Sequence, residues 1–324
     1  MTRDGLWRGN VLGVWTTGCL AVLVLVVCDV ASAQRESDKT GKEDHTLSSA
    51  RDSWPIHVTY YPSRLKENSP VALLLHMKGG SRLVWTRKGG LAESLQNQGF
   101  AVVAADLRKH GQSKATSAGG GAAKKRGKKG AGSGLTRFDY ALMVTSDLEA
   151  IKKFVFAEHQ KKRLNMRKMA VVAAGMSGPL AVTFSANDWA KKPHSDAPTL
   201  AARTPRGQDI RALVLLSPQG SLPGLTINRP MKFLKGKAAF LVCVGNRKAR
   251  VAMADANRVY NYLKPVSTDP EKRINWMNQF PVQLQGTDLL GKQIGVENTV
   301  VAFLKKYVGD LKDPWRDRRS RAAR

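Results

Sequence analysis

The chain has 324 residues, 42% apolar and 24% charged, with 53 Lys and Arg against 25 Asp and Glu for a formal net charge of +28. That much apolar material supplies one large core, and it excludes a disulfide-stapled miniprotein, a disordered chain and a multi-pass membrane protein. The excess of base attracts polyanions, whether an anionic polymer or a membrane surface, and names no chemistry.

Residues 1–33 read as an export signal. Arg3 and Arg8 precede an apolar run from Val11 to Val27, and Ala31-Ser32-Ala33 offers small residues for cleavage. The implied destination is the periplasm or the exterior; an uncleaved N-terminal membrane anchor is the alternative. Arg3, Asp4, Arg8 and Asp29 cancel, so the full +28 belongs to the chain from Gln34 onward. Cys19 and Cys28 leave with the signal, and Cys243 alone has no intramolecular partner. Residues 34–53 are polar and read as a linker, so folding is expected to start at Trp54.

From there, short apolar runs predict strands over Ile56–Tyr61, Val71–Leu75, Ala101–Ala105, Met169–Ala173, Ala212–Leu216, Ala239–Val244 and Val282–Leu284. Helical spacing appears over Val84–Gln98, Asp139–Gln160, Gly178–Trp189, Val251–Leu263 and Val296–Val308. Such alternation predicts an α/β domain, a mostly parallel sheet with helices on both faces, spanning 54–310. Two segments fall outside this rhythm. Residues 114–134 form a basic Gly/Ala-rich loop carrying Lys124, Lys125, Arg126, Lys128 and Lys129, and residues 311–324 form a basic tail with Arg318 and Arg319. Both are expected to contact polyanions, against the plainer reading as solubilising charge.

Three local patterns occur in order. Val71–Leu75 runs into His76-Met77-Lys78-Gly79-Gly80-Ser81. Ala101–Ala105 runs into Asp106-Leu107-Arg108-Lys109-His110-Gly111-Gln112-Ser113, and Met169–Ala173 turns through Ala174-Gly175-Met176-Ser177-Gly178 into a helix. Over residues 54–308 the chain resembles the α/β-hydrolase family, as a divergent exported bacterial member with a degenerate triad. The resemblance implies an H-G-x-G-G loop, a D-x-R-G-H-G-x-S loop matched except at Lys109, and a nucleophile elbow. It implies backbone oxyanion donors at Met77 and Met176, and scaffold roles for Asp106, Arg108, His76 and His110. The short Ser217–Lys237 segment leaves room for only a minimal lid, with the top of the sheet open or covered by Ala190–Gln208.

The elbow reads in two registers. G-x-S-x-G places a nucleophile at Ser177, with Pro179 replacing the final Gly. The family's G-H-S-M-G-G-x-x-A instead places Gly175 at the nucleophile position and matches Met176, Gly178 and Ala181. The second is better supported, because the turn fixes the spacing to the small helix residue and Pro179 suits a first helical turn. The rest of the triad is missing in either register. The six histidines end at His194, none stands near Gln285-Gly286-Thr287-Asp288 where the base belongs, and Gly245–Arg250 offers no acid. Losing Ser or His from a working triad costs about 10⁶ in turnover, roughly 8 kcal/mol.

No metal-ligand spacing, phosphate-binding Gly loop or dinucleotide fingerprint occurs, so neither a metal nor a cofactor is expected. Nucleic acid fits the charge but not export. The expectation is a non-catalytic hydrolase-like protein that binds anionic envelope components; the alternative is a serine hydrolase, esterase- or peptidase-like, using Ser177 with a displaced base.

Overall fold

In the computed structural model, the described residues are 41–114, 134–264, 269 and 273–323. Strands β1 (Glu43–Ser48), β2 (Pro55–Tyr61), β3 (Val71–Leu75), β4 (Ala101–Ala105), β5 (Met169–Ala174) and β6 (Ile210–Leu216) are joined in one sheet by β9 (Ala239–Gly245) and β10 (Asn275–Phe280). Their order is β1-β2-β4-β3-β5-β6-β9-β10. The β1–β2 and β2–β4 pairings are antiparallel, and every other pairing is parallel. Two residues each of β7 (Ser221–Leu222) and β8 (Leu225–Thr226) make a separate hairpin.

The central strands are uninterrupted apolar runs because both faces are covered. Val71, Leu73 and Leu75 point into one core layer, while Ala72 and Leu74 point into the other. The first layer packs against α3 (Leu148–Gln160), α4 (Ser177–Ala190), α5 (Asn228–Leu234) and α6 (Arg250–Leu263), through residues such as Ile151, Phe184, Met231 and Val259. The second packs against α1 (Leu91–Asn97) and α7 (Val296–Leu304), through Leu95 and Val300. Helix α2 (Arg137–Leu142) starts with a capping box in which Thr136 and Asp139 satisfy each other's backbone N–H groups, and a π-helical turn at Met143–Asp147 joins it to α3.

Four sequence expectations change. Folding begins before Trp54, because Glu43–Ser48 adds an antiparallel edge strand to β2. The last strand is Asn275–Phe280 rather than Val282–Leu284, since a half-exposed edge strand needs no continuous apolar run. The segment expected as a basic tail, 311–324, is not free over its described residues: Trp315 donates to the His159 carbonyl at 2.8 Å, and the Arg318 guanidinium is buried against Asp209 at 2.7 Å. Residues 190–208 do not cover the carboxyl ends of the strands. Helix α4 carries the chain about 20 Å back toward the opposite edge, where Gln208 N–H donates to the Asp188 carbonyl. Among the described residues, the short β7–β8 hairpin and α5 occupy the usual place of a lid.

Candidate active site

In an open parallel sheet, chemistry gathers at the carboxyl ends of the strands. There β5 ends at Ala174, the chain turns through Gly175 and Met176, and α4 begins at Ser177. The apex of the turn is Gly175, at φ +54°, a left-handed conformation that is costly for a residue with a Cβ. Close packing is also built in at Gly178, where a Cβ would lie 2.9 Å from that of Pro218.

The Ser177 side chain is fully buried and bonded to backbone. Its Oγ accepts the Ala174 N–H at 2.8 Å, and its proton lies 2.9 Å from both the Leu75 and Ala174 carbonyl oxygens. The hydroxyl thus ties the ends of β3 and β5 to the helix start. Ser217, at the end of β6, was not singled out by sequence. It has φ +44° and a buried hydroxyl without a hydrogen-bond partner among the described residues.

The space beside Gly175 holds Met77. A Cβ on Gly175 would lie 3.1 Å from the Met77 Cβ, and a Cβ on Gly286 would lie 2.8 Å from the Met77 Sδ. Gly286, also left-handed at φ +56°, belongs to the loop where the resemblance puts the base. One thioether side chain therefore spans the gap between the nucleophile and base positions. The loop after β9, which should carry the acid, is laced to the same region: Asn246 N–H donates to Phe280 and Arg247 N–H to Val282 carbonyls, at 2.9 and 3.1 Å. The Gln285 side chain adds a bond to the Gly245 carbonyl at 2.9 Å.

All six histidines lie among the described residues, engaged elsewhere. His45 and His57 sit on the β1–β2 edge, bonded to Glu43 and Thr46. His159 ends α3 and contacts the carbonyls of Leu164 and Arg316, and His194 lies beyond α4, where its backbone N–H donates to the Thr204 carbonyl. At the carboxyl ends, His76 donates from Nδ1 to the Met77 carbonyl at 2.8 Å and accepts the Leu107 N–H on Nε2 at 3.0 Å. Both ring nitrogens are occupied by backbone, and burial pushes its pKa down to about 4, so the ring is neutral. The His110 ring packs against it at a tilt, 5.1 Å between centroids, and bonds the Arg108 carbonyl.

The Asp106–Ser113 loop is densely bonded. Asp106 accepts the Arg82 N–H and guanidinium at 2.6 and 2.5 Å and the Gln112 N–H at 2.9 Å. Arg108 reaches Asp147 and Asp52 while lying over the Trp54 ring. Lys109, standing where the family has Gly, keeps the left-handed backbone at φ +66° and pairs with Asp139 at 2.8 Å. Cys243 is buried in β9 and its thiol is pushed up to about 12 by burial.

Of the residues picked out by charge, Lys124, Lys125, Arg126, Lys128 and Lys129 lie outside the described residues. Arg319 is exposed and pairs with Asp317 at 2.6 Å. Arg318 is not a surface ligand, because Asp209 and the Gly207 carbonyl hold it inside. Among the described residues no group of three or more His, Cys, Asp or Glu is placed to hold a metal ion, and no helix is long and apolar enough to cross a membrane.

No family model matches the sequence, and no curated protein does. Solved structures match by shape. An esterase of Pyrococcus furiosus is 16% identical with a TM-score of 0.55, covering 93% of this chain and 97% of its own. A dienelactone hydrolase from Anabaena variabilis is 14% identical with a TM-score of 0.52, covering 82% of this chain and 96% of its own. A putative α/β hydrolase from Agrobacterium tumefaciens is 17% identical with a TM-score of 0.52, covering 84% and 100%. The chain has the α/β-hydrolase fold. At these identities the likeness concerns fold, and function rests on the site itself.

Proposed function

We propose that this chain is an exported, non-catalytic α/β-hydrolase-like protein that binds anionic components of the cell envelope. One observation carries the non-catalytic half: Met77 sits between Gly175 and Gly286, where nucleophile and base would have to face each other. Gly175 bears no side chain and the loop around Gly286 bears no imidazole, and an acyl transfer needs both a nucleophile and a base. The binding half is supported by the +28 charge. The rival, a serine hydrolase acting through Ser177, draws support from the fold of the esterase neighbours, but that hydroxyl is spent on backbone.

A fluorophosphonate probe separates the two, since it reacts only with an activated serine. The native protein should show no labelling at Ser177 or Ser217 and no nitrophenyl-ester turnover above a denatured control. It should also be retained on an anionic resin until salt is raised. Labelling that disappears in Ser177→Ala would overturn the non-catalytic half, and elution at low salt would overturn the binding half.

A further inference from the structure

Two basic cavities lie at the amino-terminal edge of the sheet, away from the Gly175 turn. The larger, about 680 Å³, is bordered by Arg64, Lys66 and the Lys161–Arg163 run. Acids offset its bases: Lys161 and Arg163 pair with Glu158, and Lys162 pairs with Glu67.

The second cavity, about 380 Å³, is built differently. Five arginines line it, Arg167, Arg203, Arg316, Arg318 and Arg321, against the single carboxylate of Asp317. Arg167 shares Asp313 with Arg211, and Arg318 is held by Asp209. Among the described residues no ion pair joins a carboxylate to the guanidinium of Arg203, Arg316 or Arg321. The guanidinium groups of Arg203 and Arg321 donate to the carbonyls of Ala197 and Ala202, while the Asp196 carboxylate at the rim accepts the backbone N–H groups of Thr204 and Arg321. Those bonds fix the arginines in place without neutralising them. Burial, together with repulsion from Arg316, Arg318 and Arg211, holds Arg167 below the usual guanidinium range despite Asp313. Like charges crowded into one concavity oppose folding unless a counter-charge is bound there.

Arg203, Ala201 and Pro205 also border an adjoining cavity of about 320 Å³, lined further by Pro193 and Leu200. Leu200 is exposed there and offers an apolar side chain to the wall. The two chambers thus join a guanidinium cluster to a smaller cavity of mixed lining, in which Pro193 and Leu200 stand beside Lys191 and Gln208, across a shared wall.

We infer that this double cavity binds a compact phosphorylated anion, its phosphoryl groups among Arg167, Arg203, Arg316 and Arg321 and its organic part against Pro193, Leu200 and Pro205. Guanidinium forks match phosphate oxygens in bidentate geometry, and several converging forks select more than one phosphoryl group. The inference rests on the polyanion half of the proposed function and gives it a location.

The test is calorimetric titration of the purified protein with inorganic pyrophosphate, with sulfate as the ionic control. Pyrophosphate should bind at least tenfold more tightly than sulfate, and Arg203→Ala/Arg316→Ala should lose at least tenfold in affinity while melting, without ligand, at or above the parent temperature. Neutralising Lys124, Lys125, Arg126, Lys128 and Lys129 to Gln should leave pyrophosphate binding unchanged. Equal affinity for both anions, or for the double variant and the parent, overturns the site. Late elution from an anionic resin alongside either result would mean that the general reading stands and only this location fails. Sedimentation with phosphatidate vesicles, competed by pyrophosphate, assigns the phosphoryl group to a lipid headgroup; binding of pyrophosphate without vesicle capture assigns it to a soluble ester.

Discussion

The two ends of this sheet have been treated in opposite ways. At the carboxyl ends, where the fold ordinarily does chemistry, Ser177 and His76 are turned toward the backbone and the gap between Gly175 and Gly286 is filled by Met77. At the amino ends, charge is concentrated: Lys152, Asp188, Asp209 and Arg318 are buried together, and an arginine-lined cavity opens beside them. Scaffold and chemistry are therefore separable in this fold. The Asp106–Ser113 loop is held by Arg82 and by its own backbone, whatever stands beside the Gly175 turn.

The amino end should break first. Asp209 holds Lys152 and Arg318 at 2.7 Å each, at ion-pair distance though without the alignment of hydrogen bonds. Burial alone would lower the Lys152 pKa, but Asp209 and Asp188 outweigh it and raise the value. Asp209→Ala leaves Arg318 buried without its carboxylate and should cost about 3–5 kcal/mol in urea unfolding. A loss below about 1 kcal/mol would mean that the C-terminal segment is not clasped by this charge.

The carboxyl end answers to a different change. Gly175→Ser puts a side chain at φ +54° and into Met77, and the strain and contact together should cost about 2–4 kcal/mol. Met77→Ala on that background should recover part of the loss, as a double-mutant cycle would detect. Neither variant should hydrolyse a nitrophenyl ester. Turnover by Gly175→Ser alone would show that a base is within reach after all.

The neutral His76 gives this end a pH signature. Its pKa is pushed down by burial from 6.5 to about 4, so between those values the unfolded chain binds the proton and the folded one does not. Stability from this ring is complete above about pH 6.5 and is lost as pH falls toward 4, at most about 3 kcal/mol. His159, also lowered by burial, acts in the same direction. Unfolding free energy measured from pH 7 to 4.5 should fall less steeply in His76→Gln than in the parent; parallel curves would remove His76 from the account.

How far the sequence alone reaches follows from these same residues. Strands β3, β4 and β5 are buried along their whole length, which makes them legible as apolar runs. Strand β1 alternates half-buried and exposed positions in a polar segment, so its pairing with β2 supplies the information that its composition lacks. Arg318 reads as tail charge because its partner Asp209 lies more than a hundred residues earlier. The glycine at 175 and the lack of histidine around 286 are visible as residue types. What fills the gap is not, because Met77 meets the two glycines only after three separate strand ends are brought together.

Ser177 offers the smallest change and the sharpest division between the two readings of this end. Its hydroxyl accepts the buried Ala174 N–H and donates toward the carbonyls of Leu75 and Ala174. Ser177→Ala strands that N–H and should cost about 1–3 kcal/mol, the range for leaving a buried polar group unpaired. A nucleophile behaves otherwise: its removal abolishes turnover and, because such groups are held under strain, leaves stability unchanged or improved. Ser177→Ala should therefore melt lower than the parent with no difference in ester hydrolysis. A variant that melts at or above the parent while losing a measurable activity would place chemistry back at the carboxyl ends of the strands.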